Sequence, residues 1–106
     1  MRQFNRKESF ISVFLSTGRD FAADGVIKTF TVNVSQGGVF VHTTQPFTKG
    51  ERVWLRFSEM LAADPVQAVV CWQIEWGTCR SIPGIGVMFD FQSEEQADAV
   101  RRTLRV

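Results

Sequence analysis

The sequence predicts an all-β domain, a six-stranded antiparallel barrel followed by a C-terminal α-helix. Three observations lead to this prediction. Six short runs are rich in β-branched and aromatic residues, which is the composition of strands. Turn-forming residues separate these runs, a pattern typical of small antiparallel barrels. Near the C-terminus the apolar period changes from two to about 3.6, which indicates one helix against the barrel or over its open end.

The six predicted strands lie within the first 91 residues, as Ser9–Leu15, Val26–Val34, Gly38–Thr43, Arg52–Phe57, Val66–Trp76 and Ile85–Phe91. The second is rich in Val, Ile, Thr and Phe, and a Gly turn joins it to the third. The fourth alternates cleanly, with Val53, Leu55 and Phe57 on one face. Loops with Gly, Pro and Asp separate the strands, and the segment 58–65 has room for one helical turn around residues 60–63.

The C-terminal helix is predicted at about residues 93–104. Ser93 is the expected N-cap, with Gln96 three residues later completing a capping box. Ala97, Val100 and Leu104 then form an apolar stripe at helical spacing. Together with the strands, this predicts a barrel domain over residues 9–106, preceded by a flexible, polar arm over residues 1–8.

Composition excludes several classes of function. The 106 residues suit one domain, and 44% apolar content supplies a core. The net charge of +1 provides no general attraction for nucleic acid or membrane. No apolar run approaches the roughly 20 residues of a membrane span, and no signal peptide is evident. The protein is therefore expected to be cytoplasmic.

The sequence gives poor support for an enzyme or a metal site. His42 is the one histidine, and an imidazole on a strand is more often structural or superficial than catalytic. Cys71 and Cys79 lack the spacing of a zinc site and are predicted to be reduced thiols. No dinucleotide-binding or Walker glycine pattern occurs. We therefore predict a protein with neither catalytic activity nor a cofactor.

The turn between the second and third strands carries the first candidate site. Asn33 and Ser35 stand two apart and would share one strand face, and a Gly37–Gly38 pair follows. Such a Gly pair indicates either a positive φ or a close approach of the backbone to something else. Taken alone, Asn-x-Ser-x-x-Gly is most often an ordinary hairpin connection. The same parts can also bind anions or base edges.

Arginine pairs at a spacing of four occur three times. Arg52/Arg56 and Arg101/Arg105 have a simple explanation as solvated faces of a strand and a helix. Arg2 and Arg6 lie instead in the N-terminal arm, together with Lys7. A disordered basic terminus is the simple alternative for that segment.

Taken together, the arm and the turn resemble the PilZ domain family. Arg2 and Arg6 precede the first strand, and Asn33, Ser35 and Gly38 follow about 27 residues later, in the family's order of Arg-x-x-x-Arg and Asn-x-Ser-x-x-Gly. Gly37–Val41 looks like the family's strand after the turn, and Gly84–Phe89 looks like its last strand. The C-terminal helix also falls where the family has one, so the resemblance covers nearly the whole chain.

The resemblance implies a bacterial receptor for the second messenger cyclic di-GMP, with Arg2, Arg6, Asn33, Ser35 and Gly38 binding the ligand. These residues suit two phosphates and two guanines, because an arginine fork pairs with phosphate or with guanine O6/N7. Such a receptor would act as an adaptor that couples the nucleotide to a partner protein. The alternative is a PilZ-like interaction module that does not bind the nucleotide. A small barrel for single-stranded nucleic acid is disfavoured by the near-neutral charge.

Overall fold

The computed structural model describes residues 7–18, 26–61, 63–74 and 82–106. Within them the chain forms seven strands, one 3₁₀ turn and one α-helix. In chain order they are β1 (Lys7–Glu8), β2 (Ser12–Ser16), β3 (Val26–Val34), β4 (Gly38–His42), β5 (Arg52–Phe57), the 3₁₀ turn (Ser58–Met60), β6 (Val66–Ile74), β7 (Gly84–Phe89) and α1 (Glu94–Leu104). The predicted bounds of β3 and β5 are confirmed.

Six of these strands close into an antiparallel barrel. Around the ring their order is β3-β2-β5-β6-β7-β4, and β4 pairs with β3 to complete the circle. Closure leaves no free sheet edge among these six strands. The predicted fold class, a six-stranded antiparallel barrel with a C-terminal helix, is therefore confirmed, with β1 as one additional strand.

The barrel interior is filled by the inward-facing set of each alternating strand. On β5, Val53, Leu55 and Phe57 are buried and Arg52, Trp54 and Arg56 lie on the outer face, as the alternation predicts. The same rule places Val39 and Val41 of β4 inside. Burial of this branched and aromatic set is the main stabilising term of the fold.

The start of the first predicted strand differs from the expectation. We predicted a strand from residue 9, but β2 begins at Ser12. Thr31 of β3 explains the difference, because its Oγ1 donates to the carbonyl oxygen of Ser9 at 2.6 Å and accepts from the N–H of Ile11 at 2.9 Å. Residues 9–11 thus bulge around a buried threonine side chain.

Lys7 and Glu8, which we assigned to the arm, form β1 alongside the end of β3. Lys7 is paired with Val34 and Glu8 with Asn33. β3 is nine residues long, but β2 covers only its first five positions, from Val26 to Phe30. The last backbone groups of β3 on that side need partners, and β1 supplies them.

β4 and β6 begin where predicted, whereas the ends of β2 and β4 and both ends of β7 shift by one or two residues. β6 is described to Ile74, and the rest of the predicted strand lies outside the described residues. β7 runs from Gly84 to Phe89 and ends two residues before the predicted end. The chain leaves the sheet after Asp90, whose N–H donates to the carbonyl oxygen of Gln67 at 2.7 Å. The 3₁₀ turn lies two residues before the predicted helical turn.

Helix α1 lies across the end of the barrel where β3 ends and β4 begins. Ser93 is its N-cap, as predicted, and its Oγ accepts from Gln96 N at 3.1 Å. Gln96 Oε1 accepts from the N–H of Gln92 at 2.8 Å, one residue before the position of a standard capping box. Val100 and Leu104 are buried in the barrel core.

Candidate functional site

The turn between β3 and β4 is held by the side chain of Ser35. Ser35 N donates to Gly38 O at 2.9 Å, and Ser35 Oγ is hydrogen-bonded to both the N–H and the carbonyl oxygen of Gly38, at 3.2 and 3.1 Å. Ser35 is 7% exposed. Its hydroxyl therefore has a structural function in the turn, and one further lone pair remains available to a ligand.

Gly38 lies against the neighbouring strand. A Cβ on Gly38 would stand 2.1 Å from the carbonyl oxygen of Val87 on β7. Among the described glycines only Gly50 has a positive φ, of 92°. The sequence left two explanations open for the Gly pair, a positive φ or a close approach of the backbone. The second applies to Gly38, and the group that it approaches is the backbone of the neighbouring barrel strand.

A cavity of about 150 Å³ opens beside this turn on the outer face of the barrel. The predicted site residues Asn33, Ser35 and Gly38 all line it. The remaining lining residues come from the turn and from three strands, and they are Gly37, Val39, Cys71, Trp72, Gly86, Val87 and Met88. The structure thus brings the predicted turn residues together in one concave site.

An aromatic wall bounds the cavity on the β6 side. Trp72 stacks on Phe40 of β4, with ring centroids 5.0 Å apart and an angle of 8° between the planes. The indole lies over Gly86, where a Cβ would stand 2.2 Å from it, and the tip of the Phe40 ring lies over Gly84. The missing side chain on β7 therefore makes room for the indole, which lines the cavity together with Asn33.

The arm arginines, Arg2 and Arg6, lie outside the described residues, so their predicted role stays a prediction. The structure does describe where the arm joins the barrel. Glu8 of β1 is paired with Asn33, and Lys7 is paired with the next residue of β3. The chain therefore enters the barrel directly beside the cavity.

The last turns of α1 also reach this region. Lys7 Nζ donates to the carbonyl oxygen of Arg105 at 2.8 Å. Arg101 Nε donates to the carbonyl oxygen of Gln36 at 3.5 Å, and its guanidinium carbon lies 5.5 Å from the centroid of the Phe91 ring. Helix, arm and turn thus meet at one end of the barrel.

His42 has structural contacts. Its Nδ1 is 2.8 Å from the carbonyl oxygen of Pro83, and its ring stacks on Phe30 with centroids 5.1 Å apart. Thr29 Oγ1 donates to the carbonyl oxygen of His42 at 2.7 Å. This agrees with the structural histidine that the sequence favours.

Arg52, on the outer face of β5, makes an exposed ion pair with Asp90. Arg52 Nη1 donates to Asp90 Oδ2 at 3.0 Å, and Gln67 Nε2 donates to the same oxygen at 2.8 Å. Both hydrogen bonds lower the pKa of Asp90, and the one from Arg52 has the larger effect. The pair lies on the solvated face that we expected for Arg52.

The described residues contain neither a metal-binding cluster nor a membrane-spanning helix. Within them, no group of three or more His, Cys, Asp or Glu side chains could hold a metal ion. The same residues include no helix with the length and hydrophobicity needed to cross a membrane. Cys71 carries a free thiol, while Cys79 lies outside the described residues.

Sequence reasoning missed the strand residues of the site, above all Trp72 and Met88. One signal was available for Trp72. Gly86 interrupts an otherwise bulky strand, and a glycine within a strand often marks a site where another group approaches closely. The sequence could not identify that group, because the neighbour of Gly86 depends on how β6 pairs with β7.

The fold is therefore a small β-barrel with an amide, a hydroxyl and aromatic surface around one cavity. The chain belongs to the PilZ domain family, whose model matches residues 2–105. A comparison with curated proteins gives no match.

Solved structures of similar fold include the PilZ domain of CeSA from a cellulose-synthesizing bacterium, at 18% identity and a TM-score of 0.63 over 94% of each chain. The Bacillus subtilis inhibitor of motility, MotI, matches at 21% identity and a TM-score of 0.66, over 98% of this chain and 51% of its own. The MrkH–c-di-GMP complex of K. pneumonia matches at 17% identity and a TM-score of 0.68, over 98% of this chain and 50% of the MrkH chain. This chain therefore spans about half the length of the MotI and MrkH chains.

Proposed function

We propose that this protein is a cyclic di-GMP receptor without enzymatic activity, and that it couples the nucleotide to a partner protein. One observation carries the proposal. Asn33, Ser35 and Gly38 line a single cavity, and the chain enters the barrel directly beside it, where Glu8 pairs with Asn33. Family membership and the similarity to the MrkH–c-di-GMP complex support the choice of ligand.

The described part of the site suits one end of such a ligand. The cavity of about 150 Å³ is below the 300–1,000 Å³ of a site that encloses a drug-sized molecule. It would therefore take one guanine and an adjoining phosphate, with the rest of the dinucleotide outside the barrel. Asn33 offers an amide to a base edge, and Trp72 supplies aromatic surface of the kind on which bases stack.

Arg2 and Arg6 would complete the site from the arm. A guanidinium binds phosphate or the O6/N7 edge of guanine through two parallel hydrogen bonds, and it also stacks on a base. The part of the ligand outside the cavity would meet these residues. Binding would then fix the arm over the turn and change the surface that a partner protein meets.

A second candidate, a PilZ-like interaction module that does not bind the nucleotide, is favoured by a different observation. Ser35 closes the turn, and Gly38 avoids a collision with Val87. Two of the three turn residues thus have reasons for their presence that involve no ligand.

Isothermal titration calorimetry with cyclic di-GMP separates the two candidates. GTP and a short single-stranded oligonucleotide serve as controls for general affinity toward guanine and phosphate. We expect saturable binding of cyclic di-GMP, with much weaker binding of both controls. No heat of binding at concentrations up to the millimolar range would favour the ligand-independent module. Oligonucleotide binding as tight as that of cyclic di-GMP would instead indicate a nucleic-acid-binding barrel.

A further inference from the structure

We propose that Arg101 of helix α1 is an additional phosphate-binding residue of the cyclic di-GMP site. The inference rests on the proposed function and adds positive charge from the helix to that of the arm, beside a turn whose residues Asn33, Ser35 and Gly38 are uncharged. Four observations support it: the position of Arg101, its unused hydrogen-bond donors, the lack of a paired carboxylate, and the contact between the helix and the start of the barrel.

Arg101 lies against the turn that lines the cavity. Its Nε donates to the carbonyl oxygen of Gln36, which stands between the lining residues Ser35 and Gly37. Its guanidinium also lies over the ring of Phe91, 5.5 Å from the centroid. These two contacts orient the group, so that less side-chain entropy remains to be lost when an anion binds.

Among the described residues, most donors of this guanidinium have no hydrogen-bond partner. An arginine side chain has five N–H donors, and Nε is the one that bonds Gln36. Within the described residues Arg101 forms no ion pair, and the ion pair found there joins Arg52 to Asp90. A guanidinium packed on an aromatic ring and free of a carboxylate suits bidentate binding of phosphate.

The arm joins the barrel next to the C-terminal end of the helix. Lys7 Nζ donates to the carbonyl oxygen of Arg105, one helical turn after Arg101. An anion between arm and turn would therefore meet positive charge from both the arm and the helix. The negative end of the helix dipole opposes this, but it amounts to only about half a charge, and the Lys7 ammonium offsets it.

The test compares two arginines of the same helix. Arg101→Gln removes the charge but keeps a side chain that can donate to Gln36, and Arg101→Lys restores the charge. Arg102→Gln is the matched control, because Arg102 is exposed and makes no contact with the turn. We expect Arg101→Gln to bind cyclic di-GMP about 10- to 100-fold more weakly than the wild type, which is the value of a hydrogen bond to a charged group. Arg101→Lys should recover part of the loss, and Arg102→Gln should change affinity less than threefold.

Salt dependence separates a phosphate contact from a purely structural role. Wild-type affinity should fall between 50 and 500 mM NaCl, and the fall should be smaller in Arg101→Gln, because a screened attraction is missing. A loss that is equal at both salt concentrations and comes with a lower melting temperature would overturn the proposal in favour of a structural role. Wild-type affinity in Arg101→Gln would overturn this inference and leave the proposed function intact. A wild-type protein that does not bind cyclic di-GMP would overturn both.

Discussion

Gly38 and Val87 pass so closely that a single added carbon at Gly38 would collide with the carbonyl oxygen of Val87, at 2.1 Å. The two residues belong to β4 and β7, which are hydrogen-bonded neighbours in the barrel. The glycine of the family motif is therefore a requirement of barrel packing, whatever the ligand also requires of it.

The first prediction concerns this contact. We expect Gly38→Ala to lower the free energy of unfolding by about 1–3 kcal/mol, the usual cost of overpacking, since backbone rather than a movable side chain opposes the Cβ. Urea denaturation measures the change, with Gln36→Ala, an exposed position in the same turn, as control. Gly38→Val should lower the free energy of unfolding further. A Gly38→Ala protein of wild-type stability that had lost cyclic di-GMP binding would show that only the ligand requires the glycine.

The second prediction tests Asn33 as a ligand-binding residue. Guanine presents donors at N1 and N2, and a carboxylate accepts from both better than an amide can. Asn33→Asp should therefore bind cyclic di-GMP as well as the wild type or up to about 1–2 kcal/mol better, and Asn33→Ala should bind more weakly. A titration of the three proteins at one salt concentration decides, and equal affinities would exclude Asn33 from the site.

The structure adds a control for Asn33→Asp. Glu8 is directly opposite Asn33 in the β1–β3 pair, so a carboxylate at position 33 would face a like charge. That repulsion should lower stability by roughly 0.2–1 kcal/mol and loosen β1. Combining Asn33→Asp with Glu8→Gln removes the repulsion while keeping the new acceptor. If the double variant binds no better than Asn33→Asp, then the repulsion has no effect on the site.

The third prediction concerns the arm. Arg2→Ala and Arg6→Ala should each weaken cyclic di-GMP binding by ~1.5–3 kcal/mol, the value of a hydrogen bond to a charged group. Thermal unfolding should be almost unchanged, since we expect the arm to add nothing to the core. Lys49→Ala, which removes an exposed cation from the turn before β5, is the control for general electrostatic attraction. A marked fall in melting temperature at unchanged affinity would make the arm a structural element instead.

The fourth prediction concerns the pH dependence of the surface pair. Hydrogen bonds from Arg52 and then Gln67 lower the pKa of Asp90, so the folded protein holds that proton less tightly than the unfolded chain does. Their stabilising contribution is complete above the ordinary aspartate pKa of about 4 and is lost as the pH falls through the lower folded value. Carboxyl NMR titration should show the Asp90 pKa rising toward its ordinary value in Arg52→Ala, with the remaining hydrogen bond from Gln67 still lowering it. An unchanged Asp90 pKa in that variant would disprove the assigned cause.

Local features of the fold could be predicted from the sequence, and contacts between distant segments could not. The alternation of Arg52–Phe57 and the Ser93 cap depend on neighbouring residues, so their bounds and faces were readable. The contact of Arg101 with Gln36 joins positions 65 residues apart. It exists only because the helix crosses the same barrel end as the turn.

The same distinction between local patterns and distant contacts applies to the candidate site. Asn33, Ser35 and Gly38 form one short motif, and the structure places them in one cavity. Trp72 joins them because β6 and β7 pair with a register shift between Val70 and Trp72, which no local pattern reveals. The pairing of β1 was missed for a similar reason, since two exposed residues carry no hydrophobic signal.

The anchoring of β1 beside Asn33 limits how far the arm arginines can ever be from the cavity. An extended chain covers at most about 3.6 Å per residue, so the Cα of Arg2 stays within roughly 18 Å of that of Lys7. One group confined to a sphere of that radius has an effective concentration on the order of 0.05 M. If cyclic di-GMP binds as proposed, it would meet Arg2 and Arg6 as tethered groups of the same chain. If the arm were removed and supplied as a free peptide, tens of millimolar peptide would be needed to reach the same effective concentration.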